Sequence, residues 1–293
     1  MKKAVFTLLF SLCSLAAFAQ TAAFLNINPD AAVAGMAGAG IATASGMENN
    51  PAAMALSPAK LDVYADYVSW QPSVTGNTLL AAGGSYRLSD RIALAASFKN
   101  FTSPEYTAVS DAGRAGAAFK PRDLALALGG AFRIMDGLAA GLDVKYISSS
   151  LAESAKAGTV AADLSVKYAK DALQAGFALT NLGGKLNYGG SDYSLPSAVK
   201  AGAAYTYSGV TAAFEADYIM SAGITAALGV EYAWKDMVFA RAGYHYGSAP
   251  EVIPSCASLG LGAKLFGARL DIAYLLGSET LGGTLAFGLG YSF

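Results

Sequence analysis

At the C-terminal end of the chain, Leu285, Phe287, Leu289, Tyr291 and Phe293 alternate with Ala286, Gly288, Gly290 and Ser292. A period of two with large side chains on one face and small ones on the other predicts a strand whose faces meet different surroundings. The same alternation runs backward through segments that begin near Leu270, Leu259, Val238, Ile224, Val210, Val199, Leu173, Val160, Leu138, Leu124, Ile92, Leu80 and Leu61. Tyrosines sit at many of their ends, among them Tyr67, Tyr86, Tyr146, Tyr168, Tyr207, Tyr218 and Tyr274. The tally is about fourteen strands, an even number as bacterial single-chain barrels require.

Charge follows the same register. Asp62, Asp66, Lys99, Asp143, Lys145, Asp163, Lys167, Lys200, Glu215, Asp217, Glu231, Arg241, Lys264, Arg269 and Asp271 all fall on the small-residue face, and the apolar rows carry none. A Lys or Arg facing lipid near the midplane would cost about 2–4 kcal/mol, so this face belongs to a lumen. A water-soluble sandwich would also alternate, but strands this long and numerous with aromatic ends fit a membrane barrel better. The fold class expected is all-β: a transmembrane antiparallel barrel over residues 61–293. The signs are mixed and often adjacent, as in Asp143 with Lys145 or Arg269 with Asp271, which predicts a salt-bridged interior that is packed or plugged rather than a single-sign ion filter; Asp163, Lys167 and Arg241 belong to the same set of lumen charges. The inward rows otherwise hold Ala, Gly and Ser, with few large apolar side chains beyond Phe101 and Phe239.

Composition agrees. Hydrophobic residues make up 54% and charged residues 14%, yet after the leader no apolar run reaches the roughly 18 residues of a spanning helix. An oily chain without such helices satisfies its backbone in lipid by closing a barrel. Lys2 and Lys3, the apolar run Val5 to Ala17, and Ala17 and Ala19 before Gln20 read as a signal peptide over residues 1–19, and export then leads to the outer membrane. Losing the two lysines takes the formal charge from −1 to −3, which favours no nucleic-acid partner. Cys256 is the one cysteine left, so no internal disulfide forms.

Residues 20–60 precede the first strand and are rich in Ala and Gly, notably Ala34-Gly35-Met36-Ala37-Gly38-Ala39-Gly40. Small residues allow close backbone packing, and this segment is expected to plug the lumen. Asn50-Pro51-Ala52 reads as the turn into the barrel, since Pro biases the residue before it away from helix. A phosphate-binding loop is disfavoured because no strand precedes the glycines and no Gly-Lys-Ser/Thr follows.

The N-terminal stretch Phe24-Leu25-Asn26-Ile27-Asn28-Pro29-Asp30-Ala31, the Gly-rich run and Asn50-Pro51-Ala52 resemble the signature of the PorV/PorQ family, a branch of the FadL-like barrels. Gly176-Phe177-Ala178-Leu179-Thr180-Asn181-Leu182-Gly183, Tyr188, Leu195-Pro196 and Gly202-Ala203-Ala204-Tyr205 are similar to its mid-barrel pattern. Gly243-Tyr244, Gly260-Leu261-Gly262 and Leu270 to Tyr274 are similar to its C-terminal part. The resemblance implies a fourteen-stranded barrel with a lumenal N-terminus that serves type IX secretion in Bacteroidota. PorV-like members receive the C-terminal domains of cargo, and PorQ-like members act in surface attachment. Ala32 stands where relatives often carry Arg, and the shorter chain implies trimmed extracellular loops.

The function expected is that of an outer-membrane barrel which binds protein partners and lipid, without catalysis or cofactor. Docking calls for exposed apolar residues in the loops Phe101 to Arg122 and Tyr246 to Ser255, where Tyr106, Val252 and Ile253 are the candidates. The alternatives are a FadL-like channel for small hydrophobic molecules, lined in part by Phe24, Leu25 and Ile27, and an accessory barrel of another outer-membrane assembly complex. His245 is the only histidine and points into the lumen beside Arg241 with no nucleophile assigned to it, so neither an enzyme nor a zinc site is indicated.

Overall fold

A computed structural model describes residues 22–109, 115–153, 155–249, 252–277, 279–281 and 283–293; the signal-peptide reading of residues 1–19 lies outside them. Eighteen strands follow in chain order: β1 (Leu61–Trp70), β2 (Asn77–Arg87), β3 (Ile92–Thr102), β4 (Tyr106–Val109), β5 (Ala115–Phe119), β6 (Arg122–Met135), β7 (Leu138–Ala152), β8 (Ala155–Lys170), β9 (Leu173–Gly183), β10 (Lys185–Tyr188), β11 (Ser191–Ser194), β12 (Ala198–Tyr207), β13 (Val210–Ile219), β14 (Gly223–Trp234), β15 (Val238–Gly247), β16 (Cys256–Leu265), β17 (Ala268–Leu276) and β18 (Leu285–Ser292). Fourteen of them close an antiparallel barrel, and β4-β5 and β10-β11 are separate hairpins in its loops.

Closure joins β1 to β18 from Asp62 opposite Ser292 to Ser69 opposite Leu285. Phe293 extends that seam, because its N–H donates to the Leu61 carbonyl at 2.8 Å and its carbonyl accepts from the Lys60 and Leu61 N–H groups. With no free edge in the barrel, each of its fourteen strands is paired on both sides, as a lipid environment demands. The outward rows are exposed as sequence alternation requires: Leu128, Leu228, Leu261 and Leu289 are all at least 60% accessible. On the same rows, charge is confined to Arg122, Lys156 and Lys170 at strand ends.

The two rims differ. Connections 88–91, 136–137, 171–172, 208–209, 235–237 and 266–267 are short and lie together at one end. Two of them, Ser208-Gly209 (φ 50° and 81°) and Phe266-Gly267 (φ 50° and 84°), put both residues at positive φ, which matches the twist of a two-residue hairpin. The longer connections, including both extra hairpins, share the opposite end. β8 and β9 shift register between Ala162 and Leu164, where Asn181 adopts φ 56° and turns its backbone N–H to Asp163 Oδ1 at 2.7 Å. This bulge accounts for the Asn-Leu-Gly stretch of β9.

Candidate functional site: a plugged lumen

Residues 22–60 fill the barrel. They comprise a 3-10 turn (Ala23–Asn26), one short helix α1 (Ala31–Gly35) and a second 3-10 turn (Pro51–Leu56). Asp30 caps α1 by accepting from the Ala32 and Val33 N–H groups at 2.9 and 3.4 Å. Phe24 stacks on Phe101 toward the long-loop end, and Met36 and Ile41 meet an alanine wall of Ala178, Ala204, Ala213 and Ala227. Met47 and Met54 pack on Ala93, Ala127, Ala131 and Ala139.

The inward glycines are where the plug backbone touches the wall. An added Cβ at Gly141 would lie 2.3 Å from the Ala52 nitrogen, at Gly176 2.3 Å from the Ile41 carbonyl, and at Gly243 2.5 Å from the Met36 carbonyl carbon. Gly35 and Gly260 face each other so closely that either Cβ would come within about 3.0 Å of the other's Cα. Small inward residues are therefore the imprint of the plug on the barrel.

Polar side chains of the wall bond the plug at several depths. Glu215 accepts from the Gly40 and Ile41 N–H groups at 2.7 and 2.6 Å, and Lys167 donates to the Ala44 carbonyl at 2.7 Å. Ser258 donates to Gly35, Arg133 to Ala55 and Lys99 to Ile27. From the plug side, Glu48 accepts from Ser97 at 2.6 Å and Tyr64 at 3.3 Å and pairs with Lys99 at 3.2 Å. Burial pushes the Glu48 carboxyl up, but Lys99 and the Ser97 hydroxyl outweigh it and hold the group below the usual carboxylate range.

The residues singled out by sequence divide into separate groups. Lys145 pairs with Asp163 at 2.6 Å and donates to Asn181 at 3.0 Å, whereas Asp143 Oδ1 has no hydrogen-bond partner among the described residues. The adjacent pair Asp143 and Lys145 is thus not the bonded one, because Lys145 turns to Asp163 on the neighbouring strand, whereas the adjacent pair Arg269 and Asp271 is bonded. Lys167 serves the plug backbone. Arg241 bridges Glu231 at 2.6 Å and Asp271 at 2.7 Å, and Arg269 joins Asp271 at 2.8 Å and Asp30 of the plug at 3.8 Å. Leu285, Phe287, Leu289 and Tyr291 line the lipid side of the seam with Phe293 beyond them.

Three expectations need correction. Asn50-Pro51-Ala52 is not the entry to the barrel: Asn50 is fully buried, caps the second 3-10 turn through the Ala52 N–H at 3.0 Å, and donates to the Ile41 carbonyl at 3.0 Å. Residues 57–60 make the entry instead. Val252 and Ile253 are not a loop surface: Val252 is 5% exposed against Ala198 and Ile219, and Ile253 packs into the lumen mouth. Only Tyr106 of the three is exposed, with its hydroxyl on the Leu151 carbonyl at 2.8 Å. Finally, the upper lumen carries more large apolar side chains than Phe101 and Phe239. Val68, Trp70, Leu79, Ile147, Ile219 and Leu275 are all buried there. All but Trp70 follow or precede an aromatic or leucine read as a strand end, and Trp70 lies three residues beyond Tyr67, because strand pairing continues past the membrane girdle.

Three lumenal cavities measure about 90, 220 and 60 Å³. All fall below the roughly 300–1,000 Å³ of ligand pockets. The first lies between the plug and the wall beside Trp70 and His245, the second opens at the short-turn end, and the third surrounds Lys145 and Asp163. His245 Nδ1 lies 3.3 Å from the Ala37 carbonyl, so the plug occupies the one histidine.

Comparison with solved structures gives the same architecture. The toluene transporter TbuX of Ralstonia pickettii is similar with a TM-score of 0.65 at 14% identity, covering 91% of this chain and 98% of that one. A FadL homologue of Pseudomonas aeruginosa is similar at 0.61 and 14%, covering 90% and 98%. The toluene transporter TodX of Pseudomonas putida is similar at 0.59 and 12%, covering 85% and 92%. At these identities the likeness shows the fold, that of a FadL-like outer-membrane barrel. No curated protein matches the sequence. The family model for the type IX secretion system protein PorV matches residues 15–211, from before the plug through β12. With its plug, its closed fourteen-stranded wall and that match, the chain belongs to the PorV family.

Proposed function

We propose that this outer-membrane barrel is a docking component of type IX secretion or of surface-protein attachment, with protein partners and no catalytic step. The observation that carries this reading is the filled lumen: a plug bonded to the wall from Gly35 to Ala55, with cavities of about 90, 220 and 60 Å³ left beside it. A barrel so closed presents surfaces rather than a bore. Family membership supplies the kind of partner, namely secretion components and their cargo.

One observation favours a second reading, a channel for small hydrophobic molecules. The collar of Val68, Trp70, Leu79, Ile147 and Leu275 around Phe24 would suit such a solute if the plug moved. Affinity capture from gently solubilised native membranes separates the two. Co-purification with type IX components is the expected result. Recovery of the barrel alone, together with barrel-dependent uptake of a hydrophobic solute, would sink the docking role, and capture of a different outer-membrane assembly complex would reassign it.

A further inference from the structure

We infer that the short-turn end of the lumen holds a binding site for an organic cation, a guanidinium or primary ammonium group on an unbranched stem. The site is the cavity of about 220 Å³ between the plug and the seam strands, lined by Asp30, Glu48, Asp62, Asp66, Lys264 and Arg269. Short turns mark the periplasmic side of outer-membrane barrels, so the cavity opens to the periplasm.

The charges within it do not balance. Glu48 is matched by Lys99, and Asp30 shares Arg269 with Asp271. Lys264 is exposed at the rim and forms no ion pair among the described residues. Asp62 accepts only the Ser57 hydroxyl at 2.9 Å. Asp66 is 4% exposed, lines the cavity, and has neither a hydrogen bond nor an ion pair among the described residues. A buried carboxylate left this way costs several kcal/mol unless a cation or donor joins it or it takes up a proton. The cavity gives such a group room and a path.

Size and spacing select the class. Asp62 and Asp66 point inward four positions apart on β1, about 13 Å along the strand. A metal ion holds its oxygens at about 2.3–2.6 Å and spans no such gap. Among the described residues no three His, Cys, Asp or Glu side chains form a metal-holding group. A stem that reaches Asp66 with one cationic head and leaves its other end near Asp62 fits both groups. The same chemistry is found in free diamines and in Lys or Arg side chains of periplasmic polypeptides. This inference is independent of the docking role, since it concerns the purified barrel alone.

Calorimetric titration of the folded full-length protein in detergent tests it. The probes are 1,5-diaminopentane, L-argininamide, a hexapeptide with one central Arg, its Gln counterpart, and calcium chloride. Saturable binding of a diamine or Arg probe is expected, weakened at least tenfold by Asp66→Asn and several-fold by Asp62→Asn, with heat-dependent gel migration unchanged. Tighter binding of the Arg hexapeptide than of both small amines assigns the site to a polypeptide side chain, and the reverse assigns it to a free amine. Asp62→Asn at the mouth keeps the test available if Asp66→Asn does not fold. Absence of saturable binding, equal binding of calcium or of the Gln peptide, or indifference to the substitutions overturns the proposal.

Discussion

Gly141 shows how a single missing side chain holds the plug in place. A methyl group there would meet the backbone of Pro51 and Ala52, which has no rotamer to yield. Overpacking of this kind costs about 1–3 kcal/mol or more. Gly141→Val is therefore expected to leave a barrel that still migrates as a heat-sensitive compact species while residues 40–57 become open to protease. Glu48 makes a complementary prediction. Its folded carboxyl is depressed by Lys99, so its contribution is present above the ordinary Glu range and is lost as pH falls through the lower folded value. Hydrogen exchange around residues 45–50 should rise on acidification below the ordinary Glu range, and Glu48→Gln should show the faster exchange already at neutral pH. A flat pH profile in the unaltered protein would count against the linkage. The sequence made Glu215, Asp163 and Arg241 legible as lumen charges because period two places them there. It did not reveal that Glu215 takes the Gly40 and Ile41 N–H groups, since nothing local links positions some 175 residues apart.

At the level of elements, all fourteen wall strands could be read from alternation, because each has one face in lipid and a one-residue slip would turn every large side chain inward. Their upper ends could not. Tyr67, Tyr146 and Tyr274 look like strand ends, yet Val68, Ile147 and Leu275 continue the ladder into an apolar collar. The hairpins β4-β5 and β10-β11 escaped notice for a related reason: four- and five-residue strands carry too few periods to stand out. β10 has a clear task. Leu186 is fully buried and, with Leu195, closes the collar over Phe24. Leu186→Ala removes a packed side chain worth about 2–5 kcal/mol. It is expected to speed proteolysis of the 184–197 loop without altering gel migration of the barrel; unchanged cleavage would show that the hairpin is not held by this contact.

For the molecule as a whole, the wall and the plug are separable in principle. The wall keeps its lipid-facing rows and its seam without residues 22–57, and the lumen charges would then face water. A plug-deleted protein reconstituted in a planar bilayer is expected to conduct ions where the full-length protein stays quiet. Equal silence in both would mean that something other than the plug closes the lumen. The closed state rests on the N-terminal segment, with Leu186 and Leu195 of the β10 loop packed over Phe24 at one end.

The β1-β18 seam carries a further consequence, one of timing. The plug precedes β1 in the chain, yet Gly35 and Asp30 rest against β16 and β17, which are made almost last. Once Ser69 has found Leu285 and Phe293 has found Leu61, the wall is a closed ring with the plug inside it. Insertion after closure would need each buried ion pair to be hydrated on the way in. The simpler order is that the first residues wait, partly bonded to the early strands, and the sheet curls around them. In that sequence of events the plug acts as the former on which the ring is wound, and a chain that loses it should insert more slowly even where the finished wall is equally stable.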